Sequence, residues 1–430
     1  MTPQERKLKI LEISKQTPVQ TGTLLKYQGE IKPFDVFKIP LDFLVYNIEN
    51  GRISSVVKSY QREHGALAPE NSEDAARIAS FLFESSKERN ETTLRDIAEN
   101  GQMEPGIITI DGVIVDGNRR ASLLNRIRSD QSNKYTQSQK DRSAYFLARI
   151  LPEDADAKEI LRLETSFQMG ADSKVDYNPI EKYLHARDLK DHDFSLAEIA
   201  QYMGLKSQNE VKTYLEILEL MDEYLEQFDY DGIYTRLPRG CEDDFIKLNA
   251  TLKKIKNGNI SWIPSDRLLE VETDFKSVCF YFIRLEEKGD FDFRSIGYTS
   301  NNNFLMDEKS WDAFMENFNR VYEEEPEEAS TEEVIAKARG TGDTNRVLNQ
   351  RDNVWKDARR EMMMDAFHDA KTSLENKKEK NKPVALLKKA ISALSEISTD
   401  GLTGSSDKED IKLKLSQIRE LVSTLTTAVE

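Results

Sequence analysis

The 430-residue sequence is poor in the features that mark secreted and membrane proteins. Its two cysteines, Cys241 and Cys279, are too few for a disulfide framework or a zinc site. No apolar run approaches the roughly 20 residues that cross a bilayer, and the amino-terminus has no apolar signal core. We therefore expect a cytoplasmic protein with reduced cysteines and no membrane partner.

Histidine and positive charge are also scarce. The four histidines show neither metal-ligand spacing nor the context of a catalytic triad: His64, His185, His192 and His368. The chain has 61 Lys and Arg residues against 77 Asp and Glu residues, which gives a net charge of −16. This balance disfavours a surface that coats nucleic acid indiscriminately, but it allows a basic patch on one domain.

The most informative pattern that is present is a strand–turn–helix over residues 112–127. The apolar run Val113–Val115 predicts a buried strand, which Asp116 and Gly117 end. The helix that follows has Asp116 or Asn118 available as its N-cap. Its apolar face is predicted to consist of Ala121, Leu124 and Ile127.

Arg119 and Arg120 stand in the first turn of that helix, where the positive end of the helix dipole repels cations. A bound anion would reverse this penalty, because backbone N–H groups and arginine side chains both suit phosphate. The two arginines would then form a phosphate site. The alternative is a structural turn in which they pair with nearby carboxylates such as Asp116. The pattern fits both interpretations.

Strands and helices alternate up to about residue 151, and helices dominate afterwards. Residues 1–30 are expected to be a helical lead-in, and Asp111-Gly112 between two strand candidates is a strong hairpin signal. The pattern predicts an α+β domain followed by mainly helical domains. The expected divisions are 1–151, 152–222, a mixed and mainly helical domain over 223–322, and a C-terminal helical unit over 334–430. The acidic run Glu323–Glu333 is expected to be a solvated linker or the entry of a helix.

Residues 195–220 have the sequence pattern of a helix-turn-helix. Ser195 is placed to cap the first helix, Glu198 stands at the capping-box position, and Gly204 is expected to make the turn. The start of the second helix would expose four residues that suit contacts with DNA phosphates and base edges: Lys206, Gln208, Asn209 and Lys212. The alternative is a plain helical hairpin, which acidic neighbours such as Glu210 favour.

The C-terminal part predicts helices over 352–380, 384–397 and 410–429, with a flexible turn over 401–406. The last helix carries an apolar stripe at helical spacing: Ile411, Leu415, Ile418, Leu421, Val422 and Leu425. Such a stripe usually packs inside its own bundle and less often across a dimer interface. This half of the chain is also a candidate surface for a protein partner.

Four blocks of sequence, taken in order, resemble the ParB family of chromosome-partition proteins over about residues 31–220. They are residues 46–52, residues 94–105, residues 116–120, and the pair 163–165 with 177–182. The third block, Asp-Gly-Asn-Arg-Arg, falls where that family keeps a glycine–glutamate–arginine–arginine nucleotide motif. The ordered set is far more specific than any one block.

This resemblance implies a ParB/sulfiredoxin-like domain that binds a nucleoside triphosphate, CTP or ATP with Mg²⁺, joined to a helical DNA-binding domain. In ParB proteins CTP binding closes a homodimer into a clamp. The resemblance also implies site residues by position. Gly117, Asn118, Arg119 and Arg120 would cradle the phosphates, Gly101 and Pro105 would shape the neighbouring loop, and Glu164 would face the metal or the triphosphate.

The chain departs from the family pattern at several positions. Asn118 and Ser122 stand where the family has a glutamate and a further arginine. Thr165 and Gln168 replace the asparagine and arginine expected beside Glu164. A long insertion, Ile53–Thr93, separates the first two blocks.

Three functions remain open at this point. The leading hypothesis is a nucleotide-dependent switch that associates with DNA as a homodimer and that hydrolyses CTP or ATP slowly or not at all. A metal-dependent nuclease of a plasmid or phage-defence system would use Asp116, with Asp111 and Glu104, to hold a divalent cation, although these carboxylates also suit ordinary turns. A structural adaptor with a decayed nucleotide pocket is the third. Sulfiredoxin chemistry is disfavoured, because residues 116–120 contain no cysteine.

Overall fold

A five-stranded mixed sheet organises the amino-terminal part of the chain. The computed structural model describes residues 1–169, 178–286, 291–297, 303–323, 328–338, 344–398, 402 and 407–429. The strands are β1 (Gln20–Tyr27), β2 (Glu30–Pro40), β3 (Gly106–Ile108), β4 (Ile114–Asp116) and β5 (Tyr145–Ile150). They lie in the order β1-β2-β5-β3-β4, antiparallel except for the parallel pair of β3 and β5.

Six helices belong to the same region and complete its core. They are α1 (Pro3–Ile13), α2 (Ser54–His64), α3 (Ser72–Glu84), α4 (Lys87–Asn100), α5 (Asn118–Arg128) and α6 (Gln137–Arg142). Ala121, Leu124 and Ile127 of α5 are buried against residues of β2, β5 and α4. The α+β class and the apolar face predicted for α5 are therefore confirmed. The predicted hairpin is also present, since β3 and β4 pair across Asp111 and Gly112.

The expectation of a helical lead-in over residues 1–30 is wrong. Helix α1 ends at Ile13, and β1 begins at Gln20. Leu25 and Tyr27 are buried, whereas Leu24 beside them is exposed. This alternation has the period of two that a half-buried strand requires, and a helix would place these side chains on different faces.

Helices follow the sheet. They are α7 (Ala157–Met169), α8 (Pro179–Asp191), α9 (Leu196–Tyr202), α10 (Gln208–Gln227), α11 (Glu242–Lys256) and α12 (Leu268–Leu285). The predicted capping box is present, because Ser195 and Glu198 bond reciprocally at the start of α9. Gly204, with φ of 68°, makes the turn to α10. One buried cluster joins α7, α8, α9 and α10.

Four more helices complete the described chain: α13 (Glu308–Glu323), α14 (Thr331–Ala338), α15 (Thr344–Ser395) and α16 (Lys408–Val429). Two separate helices were expected within residues 352–397, but α15 is continuous and contains Pro383. A proline removes one backbone donor, and the long helix tolerates that loss. The turn expected at 401–406 lies outside the described residues except for Leu402. No described helix combines the length and the apolarity needed to span a bilayer.

The chain divides into two compact units. One contains Met1–Phe293 and Glu324–Arg360, and the other contains Arg294–Glu323 and Glu361–Glu430. Within the second unit, aromatic rings of Phe304, Phe314 and Phe367 pack together. The four segments expected from the sequence divide the chain differently, and they stay a prediction.

The described end of the acidic run enters a helix, one of the two expected alternatives, because α14 begins at Thr331. Glu328, just before that helix, is anchored and is not part of a solvated linker. Residues 324–327 lie outside the described part. Both carboxylate oxygens of Glu328 accept hydrogen bonds from Arg284, at 2.8 and 2.9 Å. The Arg284 side chain is 2% exposed and stacks on the rings of Phe228 and Trp355. A buried guanidinium needs carboxylate partners, which explains why this acid is not free in solvent.

A single aromatic ring fixes the turn between β4 and α5. Phe146 of β5 is fully buried. A Cβ atom on Gly106 would lie 2.4 Å from its Cζ, and one on Gly117 would lie 2.6 Å from it. Gly117 also has φ of 101°, in the left-handed region. The ring therefore leaves room only for glycine at both positions.

We expect Gly117→Ala to destabilise the fold by about 2–4 kcal/mol, from the positive φ and the collision with Phe146 together. Gly29→Ala is the matched control, because Gly29 has φ of 80° and open space around its Cα. Urea denaturation of both variants separates the two contributions. Equal losses of stability would contradict the role assigned to Phe146.

Candidate functional site

The turn before α5 has a different N-cap from the two that the sequence suggested. Gly117 occupies that position, so the helix has no side-chain cap. Asn118 is instead turned into the protein, where its Nδ2 donates to the carbonyl of Ile114 and its Oδ1 accepts from the backbone N–H of Asn47. Asp116 pairs with Arg120. The prediction of Asp116 or Asn118 as N-cap is therefore wrong, since both side chains are engaged elsewhere.

An open cavity of about 290 Å³ lies beside this turn. It brings together most of the predicted nucleotide-binding residues. Those on its lining are Gly101, Gly117, Asn118, Arg119 and Arg120, together with Asp116. Arg52, Thr93 and Gln168 also line it. Pro105 and Glu164 are not on the lining.

The loop at Gly101 is held rigidly against the sheet. Gly101 ends α4 with φ of 82°. The side-chain amide of Gln102 donates to the carbonyl of Leu147 and accepts from its N–H, both at 2.8 Å. Pro105 is half-buried just before β3. The loop therefore forms a fixed wall of the cavity through Gly101 and Gln102.

Around Arg120 the charges are balanced. Arg120 donates to Asp116 at 2.7 Å. Burial lowers the pKa of nearby Arg149, while the charges of Asp116 and Glu104 act in the opposite direction. Arg120 thus follows the structural alternative, in which a carboxylate of the same turn neutralises it.

Around Arg119, by contrast, positive charges gather. This side chain donates to the hydroxyl of Thr93 at 3.0 Å, and its Nε is buried without a hydrogen-bond partner among the described residues. Burial, together with the charges of Arg52, Arg89 and Arg120, lowers the pKa of Arg119 to about 10. Within the described part of the chain, no carboxylate acts on it in the opposite direction. We call the group of Arg52, Arg89 and Arg119 the arginine end. Arg52 and Arg119 lie on the cavity lining, and Arg89 acts on Arg119 through its charge.

Sequence reasoning missed the contribution of the insertion to this site. Arg89 and Thr93 belong to α4, within the segment taken as an insertion between two family-like blocks. A signal was available in the charge distribution. Residues 1–150 carry 22 Lys and Arg against 20 Asp and Glu, while the remainder carries 39 against 57. The excess of acidic residues thus lies in the remainder of the chain, and the part that holds the cavity is nearly neutral.

Glu164 does not face the cavity, contrary to its expected role. It is 1% exposed, and its carboxylate accepts from the amides of Asn47 and Gln168, both at 2.8 Å. Burial raises its pKa to about 8. A carboxyl group that holds its proton at neutral pH is a poor ligand for Mg²⁺. Among the described residues, no group of three or more His, Cys, Asp or Glu side chains is arranged to hold a metal.

A hydrogen-bonded path connects the cavity with the helical core. It runs from Asn118 through Asn47 and Glu164 to Gln168, which lines the cavity from α7. On the same helix, Leu161 and Met169 belong to the buried cluster that α7 shares with α8, α9 and α10. The adjacent Thr165 hydroxyl lies 2.8 Å from Nε2 of buried His185 on α8. Helix α7 therefore contributes both to the cavity and to the core around α9 and α10.

The predicted DNA-contacting residues lie apart from the cavity. All four are exposed, just before α10 and in its first two turns: Lys206, Gln208, Asn209 and Lys212. The carboxylate of Glu210 accepts from the backbone N–H of Lys206 at 2.9 Å. Helix α10 contains six acidic residues and only one basic residue. Lys212, the one basic residue of α10, thus lies near its leading end, while acidic residues continue to Glu226.

The buried Glu164 makes the stability of the chain depend on pH. Its pKa is about 8 in the folded state, compared with the ordinary value of 4.5 in the unfolded chain. The contribution of Glu164 to the free energy of unfolding is thus complete below pH 4.5. It is lost as the pH rises to about 8, at about 1.4 kcal/mol per pH unit. We expect denaturant titrations at several pH values to show that the free energy of unfolding of Glu164→Gln falls less steeply with pH over this window.

Exposed Glu12→Gln is the control for that measurement. A residual slope is expected from Glu181, whose pKa burial raises to about 7. A Glu164→Gln slope equal to that of the wild type would show that this carboxyl group is ionised in the folded protein.

Comparison with known proteins adds no family assignment. The sequence matches no protein-family model, and no curated protein is significantly similar to it. The functional argument therefore depends on the geometry and charge of the cavity and on the motifs read from the sequence.

Proposed function

We propose that the cavity beside α5 binds the phosphates of a nucleoside triphosphate, and that the chain is a nucleotide-dependent switch associated with DNA. The observation that carries the proposal is the arginine end. Arg119 is half-buried there at the start of a helix, and the charges of Arg52 and Arg89 oppose its ionisation. A cation in such surroundings is costly unless an anion occupies the site.

The chemistry of the cluster suits a polyphosphate. Guanidinium groups bind phosphate oxygens through directed pairs of hydrogen bonds, and the first turn of a helix offers unpaired backbone N–H groups. A bound phosphate would also reverse the unfavourable interactions that lower the pKa of Arg119. The positive charge and the hydrogen-bond donors thus favour the same ligand.

The proposal assigns different tasks to the two arginines. The sequence pattern places both arginines at the phosphates. Because Asp116 neutralises Arg120, we assign phosphate binding mainly to Arg119. Arg120 and Asp116 stabilise the turn that presents it.

The resemblance to ParB proteins supports a nucleotide as the ligand. Blocks that are far apart in the sequence contribute to one cavity through Arg52, Gly101, Gly117 and Arg119. CTP or ATP with Mg²⁺ is the proposed ligand. Since Glu164 is buried, the triphosphate itself would supply the oxygen ligands of the metal.

DNA association is the second part of the proposal. The exposed start of α10 provides the contacts, and α7 links the nucleotide cavity to the helix-turn-helix core. A homodimer, as in the resembling family, stays a prediction. No observation favours the nuclease, because Asp116 is engaged with Arg120. The adaptor becomes the better hypothesis if no nucleotide binds.

Titration of the chain with the four ribonucleoside triphosphates and Mg²⁺ tests the first part. We expect CTP or ATP to bind, and Arg119→Ala to weaken binding by roughly 10–150-fold, because a charged hydrogen-bond donor is removed. The melting temperature of the free variant should stay the same or rise, since a cation leaves the start of the helix.

Arg128→Ala is the matched control, because Arg128 lies on the same helix and pairs with Asp42, away from the cavity. It should leave nucleotide affinity unchanged. Absence of binding by all four nucleotides, or unchanged affinity in Arg119→Ala, would refute the phosphate site.

The DNA contacts can be tested by reversing two charges. We expect the double variant Lys206→Glu, Lys212→Glu to bind DNA more weakly, with the slope of log affinity against log salt reduced by about 0.9 for each phosphate that the variant no longer neutralises. The variant Lys15→Glu, Lys134→Glu changes the net charge equally at two exposed sites elsewhere. If both variants bind DNA equally weakly, the effect is one of net charge and α10 is not the DNA-binding element.

A further inference from the structure

Helix α16 carries an apolar seam with the spacing of a coiled coil. Its members follow one another at intervals of four and three residues: Ile411, Leu415, Ile418, Val422, Leu425 and Val429. No residue of α16 is buried, and Leu415, Val422 and Leu425 are 45–54% exposed. Residues spaced in this way form one stripe along a helix, and such a stripe is stable in water only when another helix covers it. The sequence interpretation of this stripe as internal packing is therefore not met within the described chain.

The positions that flank the seam are cationic. With Leu415 at heptad position a, Lys412 and Arg419 take position e and Lys414 takes position g. The remaining e and g positions hold Leu421, Thr426 and Ala428, none of which is acidic. Lys412 contacts Glu409 at 2.8 Å, but its side chain stays 71% exposed. These flanking charges select the partner of the seam.

A second copy of α16 is a poor partner for this seam. In a parallel pair, Lys414 at position g would face Arg419 at position e of the other copy. In an antiparallel pair, e positions meet e positions and g positions meet g positions, so cations again face cations. Like charges in these positions oppose pairing.

A shorter stripe on α15 meets the same objection. It has a comparable spacing and is exposed: Val384, Leu387, Ile391 and Leu394. Lys388 stands beside it at the equivalent of position e. This stripe therefore offers no negative charge to Lys412, Lys414 and Arg419.

We propose that α16 docks an amphipathic helix of another protein that carries Asp or Glu at its e and g positions. Apolar side chains of that helix cover the seam, and its carboxylates pair with Lys412, Lys414 and Arg419. The charge of the whole chain favours this placement, because a net charge of −16 repels an acidic helix elsewhere. A homodimer of this protein would use a different surface.

Two labelled peptides spanning residues 408–429, added to the full-length chain, test the proposal. One has the native sequence, and the other carries K412E, K414E and R419E on the same apolar seam. The acidic peptide should bind at least tenfold more tightly than the native peptide, and high salt should reduce the difference. Fluorescence anisotropy measures both affinities.

Ile418→Asp in the full-length chain is the matched variant, because it interrupts the middle of the seam and leaves the flanking cations in place. It should abolish binding of the acidic peptide. Equal or tighter binding of the native peptide would identify a second copy as the occupant. Failure of both peptides to bind, or binding that survives Ile418→Asp, would also overturn the proposal.

Discussion

The candidate site depends on the packing of one ring, Phe146, beneath two glycines. The ring fills the space where side chains of residues 106 and 117 would lie. Because both residues are glycines, β3 can approach β4 closely and the chain can turn directly into α5. This turn places Arg119 and Arg120 at the mouth of the cavity. The charges of the site are thus positioned by an apolar contact, which explains why the motif needs its glycine as much as its arginines.

The electrostatic surroundings then give the two arginines of the cavity different roles. Asp116 and Arg120 neutralise one another and hold the turn, whereas the arginine end brings Arg119 close to other cations. Both arginines of the turn carry the same helix-dipole cost, but only Arg120 has the carboxylate of Asp116 to compensate it. Adjacent residues on a helix point about 100° apart, so such a division of tasks between neighbours is geometrically natural. On the docking surface proposed for α16, the charges beside the apolar seam likewise determine which partner helix can bind.

Local patterns allowed much of this architecture to be predicted. The periodicity of α5, the hairpin at Asp111-Gly112 and the capping box of α9 are consequences of neighbouring residues, so the sequence reveals them directly. The role of Arg89 could not be found in this way, because only the packing of α3 and α4 on α5 brings it near Arg119. The burial of Glu164 was missed for the same reason, since its partner Asn47 is more than a hundred residues away in sequence. Propensity also failed at β1, where a short alternating strand looked like the continuation of a helix.

The cavity draws its lining from widely separated parts of the chain, with Arg52, Thr93, Arg119 and Gln168 each on a different segment. Such a site exists only when the whole α+β domain and α7 are folded together. Any ligand that occupies it must therefore shift the folding equilibrium, by about 2.7 kcal/mol at a free concentration one hundred times its dissociation constant. Occupancy of the site and the lifetime of the protein in the cell are thereby linked, and scarcity of the ligand would increase the fraction of chains exposed to proteolysis.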